Sequence, residues 1–278
     1  MATALSLRRP SVIPGFGLTL GFTLAYLSLI VLLPLAGLVA KTIGLSPAEL
    51  WAIATTPRVV SAFRVSFGTA LIAAMINVVF GLLVAWVLVR YRFPGRRLMD
   101  SLIDLPLALP TAVGGLIYGS LYVETGWLGR FLVPIGIQGA YTRFAIVLVL
   151  VFVGLPFVVR AVQPVLEDLD PESEEAAASL GGTRWQTFLH IIVPTLAPAL
   201  ITGFALAFAR GVGEYGSVVF VSGNMPFKTE IAPILIVARL EEFAYSEATA
   251  IAVVLLGISF SMLIGINLLE RWSMRHAR

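Results

Sequence analysis

The chain has 278 residues, of which 58% are hydrophobic and only 13% charged, and its mean hydropathy is +0.94. Soluble domains carry about 25% charged residues, so composition alone makes this a membrane protein. The net charge of +3 sits on arginines gathered at the ends of apolar runs, which excludes a nucleic-acid surface, and the absence of cysteine excludes disulfides, thiolate catalysis and Cys-ligated metals.

Arg8 and Arg9 precede a charge-free run from Pro10 to Ala40. A secretory signal has an apolar core of about 7 to 15 residues, so this longer run predicts a retained first span over Phe16 to Val39, after an N-terminal tail of residues 1–15. A second span is expected from Val65 to Val89, about 37 Å at 1.5 Å per residue, enough to cross a hydrocarbon core of about 30 Å with some tilt. Arg90, Arg92, Arg96 and Arg97 then surround a Pro94-Gly95 turn.

A third apolar stretch, Leu105 to Val123, is interrupted by Pro106, Pro110 and Gly114-Gly115. Broken helices are tolerated at membrane depth only where protein or a cavity surrounds them, so the stretch is expected near a pathway, an ordinary kinked span being the alternative. The fourth span, Phe144 to Val159, is short at about 24 Å, and Arg143 and Arg160 are placed to snorkel to the two interfaces. Ile191–Ala209 and Ala248–Leu269 complete six spans, with Glu270, Arg271, Arg275 and Arg278 beyond them. The expectation is an all-α polytopic membrane protein with one domain over residues 16–270, a cytoplasmic loop over 160–190 and a tail over 271–278. Six spans put both termini on one side, and that side carries 11 Lys and Arg against 8, which predicts cytoplasmic termini.

Between the fourth and fifth spans, Leu166–Pro194 forms a polar island, with six of the chain's sixteen acids between Glu167 and Glu175. Asp170 is placed as an N-cap, Pro171 fits the first helical position, and Glu172, Glu174 and Glu175 favour the positive helix end. The helix is expected to continue to Leu180 and stop at Gly181-Gly182, because glycine adopts the left-handed conformation that closes a helix. Thr183 and Gln186 form a capping box, predicting a second short helix that carries Trp185, Phe188 and Leu189 and ends at Pro194. Glu172, Glu175 and Ser179 share a face by spacing, and small alanines beside them let another protein approach closely. The island reads as a docking surface, with an unpartnered surface helix as the alternative.

Glu175-Ala176-Ala177, Gly181 and Ile191-x-Val193-Pro194 together resemble the EAA loop, EAA-x3-G-x9-I-x-L-P, of ABC importer permeases, with Val193 in place of the usual leucine. The resemblance implies a type I importer permease fold, in which Glu172, Glu175, Ala176, Ala177 and Gly181 couple the chain to a cytoplasmic ATPase.

Arg210 to Glu247 is apolar enough to stay near the membrane, yet Gly211, Gly213, Gly216, Gly223 and Pro226 prevent one continuous helix. Val218–Val221 has strand-like composition, but at a membrane a broken or re-entrant segment buried in protein is expected. Glu214 is its most embedded acid, readable as a pathway group or as a cap. The runs Gly213-Glu214-Tyr215-Gly216-Ser217, Ser222-Gly223-Asn224 and Lys228–Pro233 resemble the T-type permease subunit of bacterial sulfate/thiosulfate importers. Molybdate and W-type sulfate permeases tend instead toward Gly-Glu-Phe-Gly at the first motif.

The resemblance implies translocation of sulfate or thiosulfate across the cell (inner) membrane, with another oxyanion such as molybdate or tungstate as the alternative cargo. It implies a W-type permease partner, two ATP-binding subunits that consume the ATP, and an extracytoplasmic binding protein. No cofactor is expected on this chain. Gly213, Glu214, Tyr215, Ser217, Ser222 and Asn224 are the candidate path residues. The segment's three basic residues and five acids make a poor funnel for a dianion, so selectivity is expected to rest mainly with the binding protein.

Two other classes compete. An ion-driven carrier keeps an ionisable residue at bilayer depth for function, and the six expected spans contain none. A membrane enzyme needs reactive groups, and here His190 and His276 lack metal-ligand spacing, while no nucleophile motif or phosphate-binding loop is present.

Overall fold

The computed structural model describes residues 15–276, so Arg8, Arg9, Arg278 and most of the expected N-terminal tail lie outside the described residues. Among the described residues all regular elements are helical, and five helices are long and apolar enough to cross a membrane. The first, α1 (Phe16–Thr42), belongs to a separate unit that ends at Ser46. It is apolar on every face and its most apolar stretch buries nothing, the pattern of a helix whose solvent is lipid. A π turn at Ser28–Leu32 stands just ahead of Pro34. A proline ring collides with the carbonyl four residues back, and the wider turn accommodates it.

The second unit, from Pro47 onward, contains α2 (Pro47–Ala54), α3 (Pro57–Arg90), α4 (Arg96–Ile103), α5 (Leu105–Ala108), α6 (Thr111–Tyr122), α7 (Gly129–Leu132) and α8 (Arg143–Glu167). It continues with α9 (Pro171–Ser179), α10 (Arg184–Val212), α11 (Val218–Val221), α12 (Ala232–Glu241) and α13 (Tyr245–His276). Helices α3, α8 and α10 pack on one another and make the core, and α13 lies against α10 and α12.

Small residues set the spacing of the three core helices. A Cβ on Gly81 of α3 would fall 2.7 Å from the Val158 side chain, and one on Gly203 of α10 would fall 2.9 Å from the Val158 Cα. Val158 of α8, fully buried, is therefore gripped between two bare backbones. In a bilayer, where lipid is as apolar as leucine, close van der Waals contact of this kind drives helix association.

Two expectations about element boundaries need correction. The fourth span does not stop near Arg160, since α8 runs on to Glu167. Arg160 is held from the side, by Asp104 through Nε (3.0 Å) and Nη2 (2.6 Å) and by Asp100 through Nη1 (2.6 Å), which fixes α4 and the start of α5 against α8. The helix carrying Trp185 does not leave at Pro194 either. A π turn at Phe188–Ile192 takes up that proline as the first one takes up Pro34, and α10 is unbroken from Arg184 to Val212. The stretch Leu105–Val123 is broken as expected, into two helical pieces around an extended Leu109-Pro110, though not at Gly114-Gly115, and α6, at 12 residues, covers only about 18 Å.

Candidate coupling and translocation sites

The acidic island folds as a hairpin of two helical limbs, α9 and the start of α10. Asp170 Oδ1 accepts from the Glu172 N–H at 3.0 Å, which caps α9, and Gly181 closes it with φ of 83°. Thr183 and Gln186 make the reciprocal capping box, with Gln186 Oε1 accepting from the Thr183 N–H at 2.8 Å. Each orphan donor at these helix starts that is satisfied by a side chain holds the hairpin's shape without tertiary help.

Two stacked residues of α3 tie the limbs down, one each. Arg90 forms an ion pair with Glu174 of α9 and lies 5.3 Å over the Trp86 ring. Trp86 meets Phe188 edge-on at 5.7 Å, and Phe188 stacks on Trp185 at 5.6 Å. The hairpin is thus fastened to the end of the longest core helix through one limb's carboxylate and the other limb's aromatics. Glu174 and Arg90 were missed as site residues, since nothing in sequence pairs positions 84 apart.

What the hairpin leaves uncovered is informative. Glu172, Glu175 and Ala176 are exposed, as is Gly181, and Ala177 is half-buried. Leu180 is 90% exposed and Trp185 67%, apolar area unusual on a polar hairpin. Ala177, Gly181 and His190 border a hollow of about 450 Å³ between the limbs. Leu180 was not singled out as a site residue, although an apolar residue inside a polar run is a signal that could have marked it.

The second candidate region follows α10. Gly213 ends the helix, and Glu214, only 1% exposed, turns back as a brace. Its Oε1 accepts from the Ser217 N–H (3.0 Å) and Oγ (2.8 Å), while Oε2 pairs with Arg210 one turn earlier. Ser217 is itself fully buried because α6 lies against it: a Cβ on Gly115 would stand 2.3 Å from the Ser217 carbonyl oxygen. Val218–Val221 forms a single helical turn, as expected of a broken segment. Ser222, also fully buried, donates to Asn224 Oδ1 at 2.6 Å, and Asn224 adopts φ of 50°. Glu214 and Ser217 therefore stand together, Ser222 and Asn224 form a separate pair, and Tyr215 and Gly213 are the exposed members of the set, Tyr215 at 38%.

One of this segment's acids is neutralised from outside it, and three more pair with arginines of the segment itself. Glu230, 3% exposed, receives a bidentate clamp from Arg58 of α3, with Nε–Oε2 at 2.9 Å and Nη2–Oε1 at 2.7 Å. Glu242 and Glu247 both pair with Arg239. Counting charges within the segment could not show this, because Arg58 lies 172 residues away from its partner.

Residues 77–275 match the family described as binding-protein-dependent transport system inner membrane component. The chain is 52% identical over 255 residues to the sulfate transport system permease protein CysT of Synechocystis sp., covering 92% of this chain and 89% of that one. It is 50% identical over 267 residues to the protein of the same name from Escherichia coli, covering 96% of each. In fold it resembles a bacterial ABC transporter involved in the import of alginate, with a TM-score of 0.74 at 14% identity over 92% of this chain and 94% of the other. The MetNI methionine ABC transporter is a more distant likeness, with a TM-score of 0.56 over 84% of this chain and all of the other. An all-helical chain with several membrane-length helices, matched over most of its length, belongs to the family of binding-protein-dependent transport system inner membrane components.

Proposed function

We propose that this chain is the membrane permease subunit of an ATP-driven importer of sulfate, with the hairpin α9–α10 as the point where ATP-driven motion enters it. The observation that carries the reading is the hairpin itself: capped at both helix starts, tied to α3 by Arg90, and uncovered at Glu172, Glu175, Ala176 and Gly181. Sulfate as cargo is supported by relatives about half identical over nearly the whole chain that bear the name sulfate permease.

In this reading the fold is a type I importer permease of six spans, the broken piece α5–α6 completing the crossing that the five continuous helices leave open. Both termini and the hairpin face the cytoplasm of an inner-membrane protein. Two ATP-binding subunits seat on the hairpin and its counterpart in a W-type permease, and an extracytoplasmic binding protein delivers the anion. Switching between inward- and outward-facing states from 1:99 to 99:1 takes about 5.5 kcal/mol of differential free energy, and the hairpin passes part of it to α3 through Arg90. Gly213–Asn224 lies along the substrate path, where Glu214 and Ser217 hold the backbone and Tyr215 and Asn224 offer polar atoms to the passing anion.

Uptake of labelled sulfate in cells lacking the gene, complemented with this chain, tests the cargo. Restored sulfate uptake supports the reading. Restored molybdate uptake with no effect on sulfate, at normal membrane levels, rejects it.

A further inference from the structure

The described arginines of the second unit differ in whether a carboxylate holds them. Arg58, Arg90, Arg160, Arg210 and Arg239 each hold a carboxylate. Arg64 and Arg143 hold none, and both line one cleft of about 870 Å³ at the N-terminal ends of α3 and α8. Among the described residues Arg64 has no hydrogen-bonding partner, and Arg143 donates only to backbone carbonyls, from Nε to Lys228 at 2.6 Å and from Nη2 to Phe227 at 3.5 Å. No carboxylate borders the cleft. Ser61, half-buried on its wall, has a hydroxyl without a partner among the described residues. Phe144 and Phe227 supply apolar wall, and Gly68 leaves the floor open, since a Cβ there would meet nothing within 4 Å.

We propose that this cleft is a binding site for a tetrahedral oxyanion, held by Arg64 and Arg143 and reached from the membrane face opposite the hairpin. The inference rests on the permease reading for its sidedness. Arg64 and Arg90 are separated along α3 by about 39 Å at 1.5 Å per residue, more than the hydrocarbon core of about 30 Å, so the cleft and the hairpin open on opposite faces. Two guanidinium groups present forked N–H donors that match anionic oxygens, and low-dielectric walls focus their field. Arg58, Arg210 and Arg239 on this face are already neutralised, whereas the cleft brings two guanidinium groups without a carboxylate to one place where an anion leaving a delivery protein can meet both. The sequence count of a net negative outer segment hid it, because Arg64 and Arg143 lie outside Arg210–Glu247.

The chain has no cysteine, so a single introduced thiol is the only one on it. The test is labelling of S61C in the assembled transporter in intact cells, comparing an anionic sulfonate thiol reagent with a cationic ammonium one, with and without sulfate. The anionic reagent is expected to react faster by on the order of tenfold relative to its rate on an exposed reference cysteine, because the local anion concentration is raised. The preference should collapse in R64Q and in R143Q, survive in R64K, and be reduced by sulfate. Arg64→Gln removes no hydrogen bond or ion pair among the described residues, so its effect is not that of a lost structural clamp, and G68L, which adds bulk where a Cβ meets nothing within 4 Å, should slow both reagents and lower sulfate uptake. Absence of charge preference, a preference unchanged in R64Q/R143Q, or lack of labelling from outside overturns the proposal. Failure of the permease reading is distinguishable, since it shows as no sulfate uptake by the unaltered chain whatever the labelling ratio.

Discussion

At Gly181 one backbone angle shapes the face proposed to dock the ATP-binding subunit. At φ of 83°, an L-residue with a side chain pays a conformational cost of about 1–2 kcal/mol, yet no atom of the chain lies within 4 Å of the added Cβ. Space within the chain is therefore not the constraint. Asparagine tolerates the left-handed region, so Gly181→Asn is expected to insert at normal levels and keep the hairpin. Its side chain would still project into the face proposed to seat the ATP-binding subunit, so sulfate uptake should fall several-fold. Gly181→Val should lose uptake and shorten the hairpin's lifetime as well, read by proteolysis of the loop in inside-out vesicles. Uptake at wild-type level in both variants would show that no partner packs on this residue.

Helix boundaries were legible where local chemistry decides them and illegible where packing does. Asp170-Pro171, Gly181 and the Thr183–Gln186 pair all specify short-range hydrogen bonds or a single φ, and the structure has each of them. Pro194 was read as an exit because a proline breaks an α-helix, but a π turn ahead of it preserves α10, and nothing local announces that turn. The clamp of Arg160 on Asp100 and Asp104, and that of Arg58 on Glu230, join positions far apart in sequence, so residue type alone could not pair them. The candidate path residues were found as a motif, but only the fold shows Glu214 and Ser217 bound to each other.

At the same scale, the hairpin's attachment and the core seam make separable predictions. Arg90→Ala leaves α3 intact while freeing Glu174 and uncovering Trp86, so membrane levels should hold while uptake drops. Gly203→Leu instead drives a side chain into the backbone of α8 at Val158, and overpacking of this kind costs about 1–3 kcal/mol. Its signature is a lowered thermal midpoint in detergent and reduced membrane level, with G68L, placed in open space, unchanged in stability. Equal stability for Gly203→Leu and Gly68→Leu would remove the seam from the account.

Over the whole molecule, charge is arranged by depth. The apolar core of α3, α8 and α10 separates an acidic hairpin at one end from a cleft with two unneutralised arginines at the other. That polarity is what an importer of a dianion needs: cations where the anion arrives, and a rigid lever where nucleotide energy is applied. In the proposed coupling, motion at the hairpin would reach the far end through α3, whose 34 residues run unbroken between them.

The most direct test of that account is where the ATP-binding subunit touches the chain. A cysteine placed at Ala176 is the chain's only thiol, and in the assembled transporter a short bifunctional reagent should join it to the ATP-binding subunit, with a yield that changes when ATP is added. A cysteine at Ser61, on the opposite face, should give no such adduct. Failure of A176C to crosslink under conditions where the complex stays assembled, or an adduct from S61C instead, would contradict the hairpin as the coupling element and reverse the orientation assigned here.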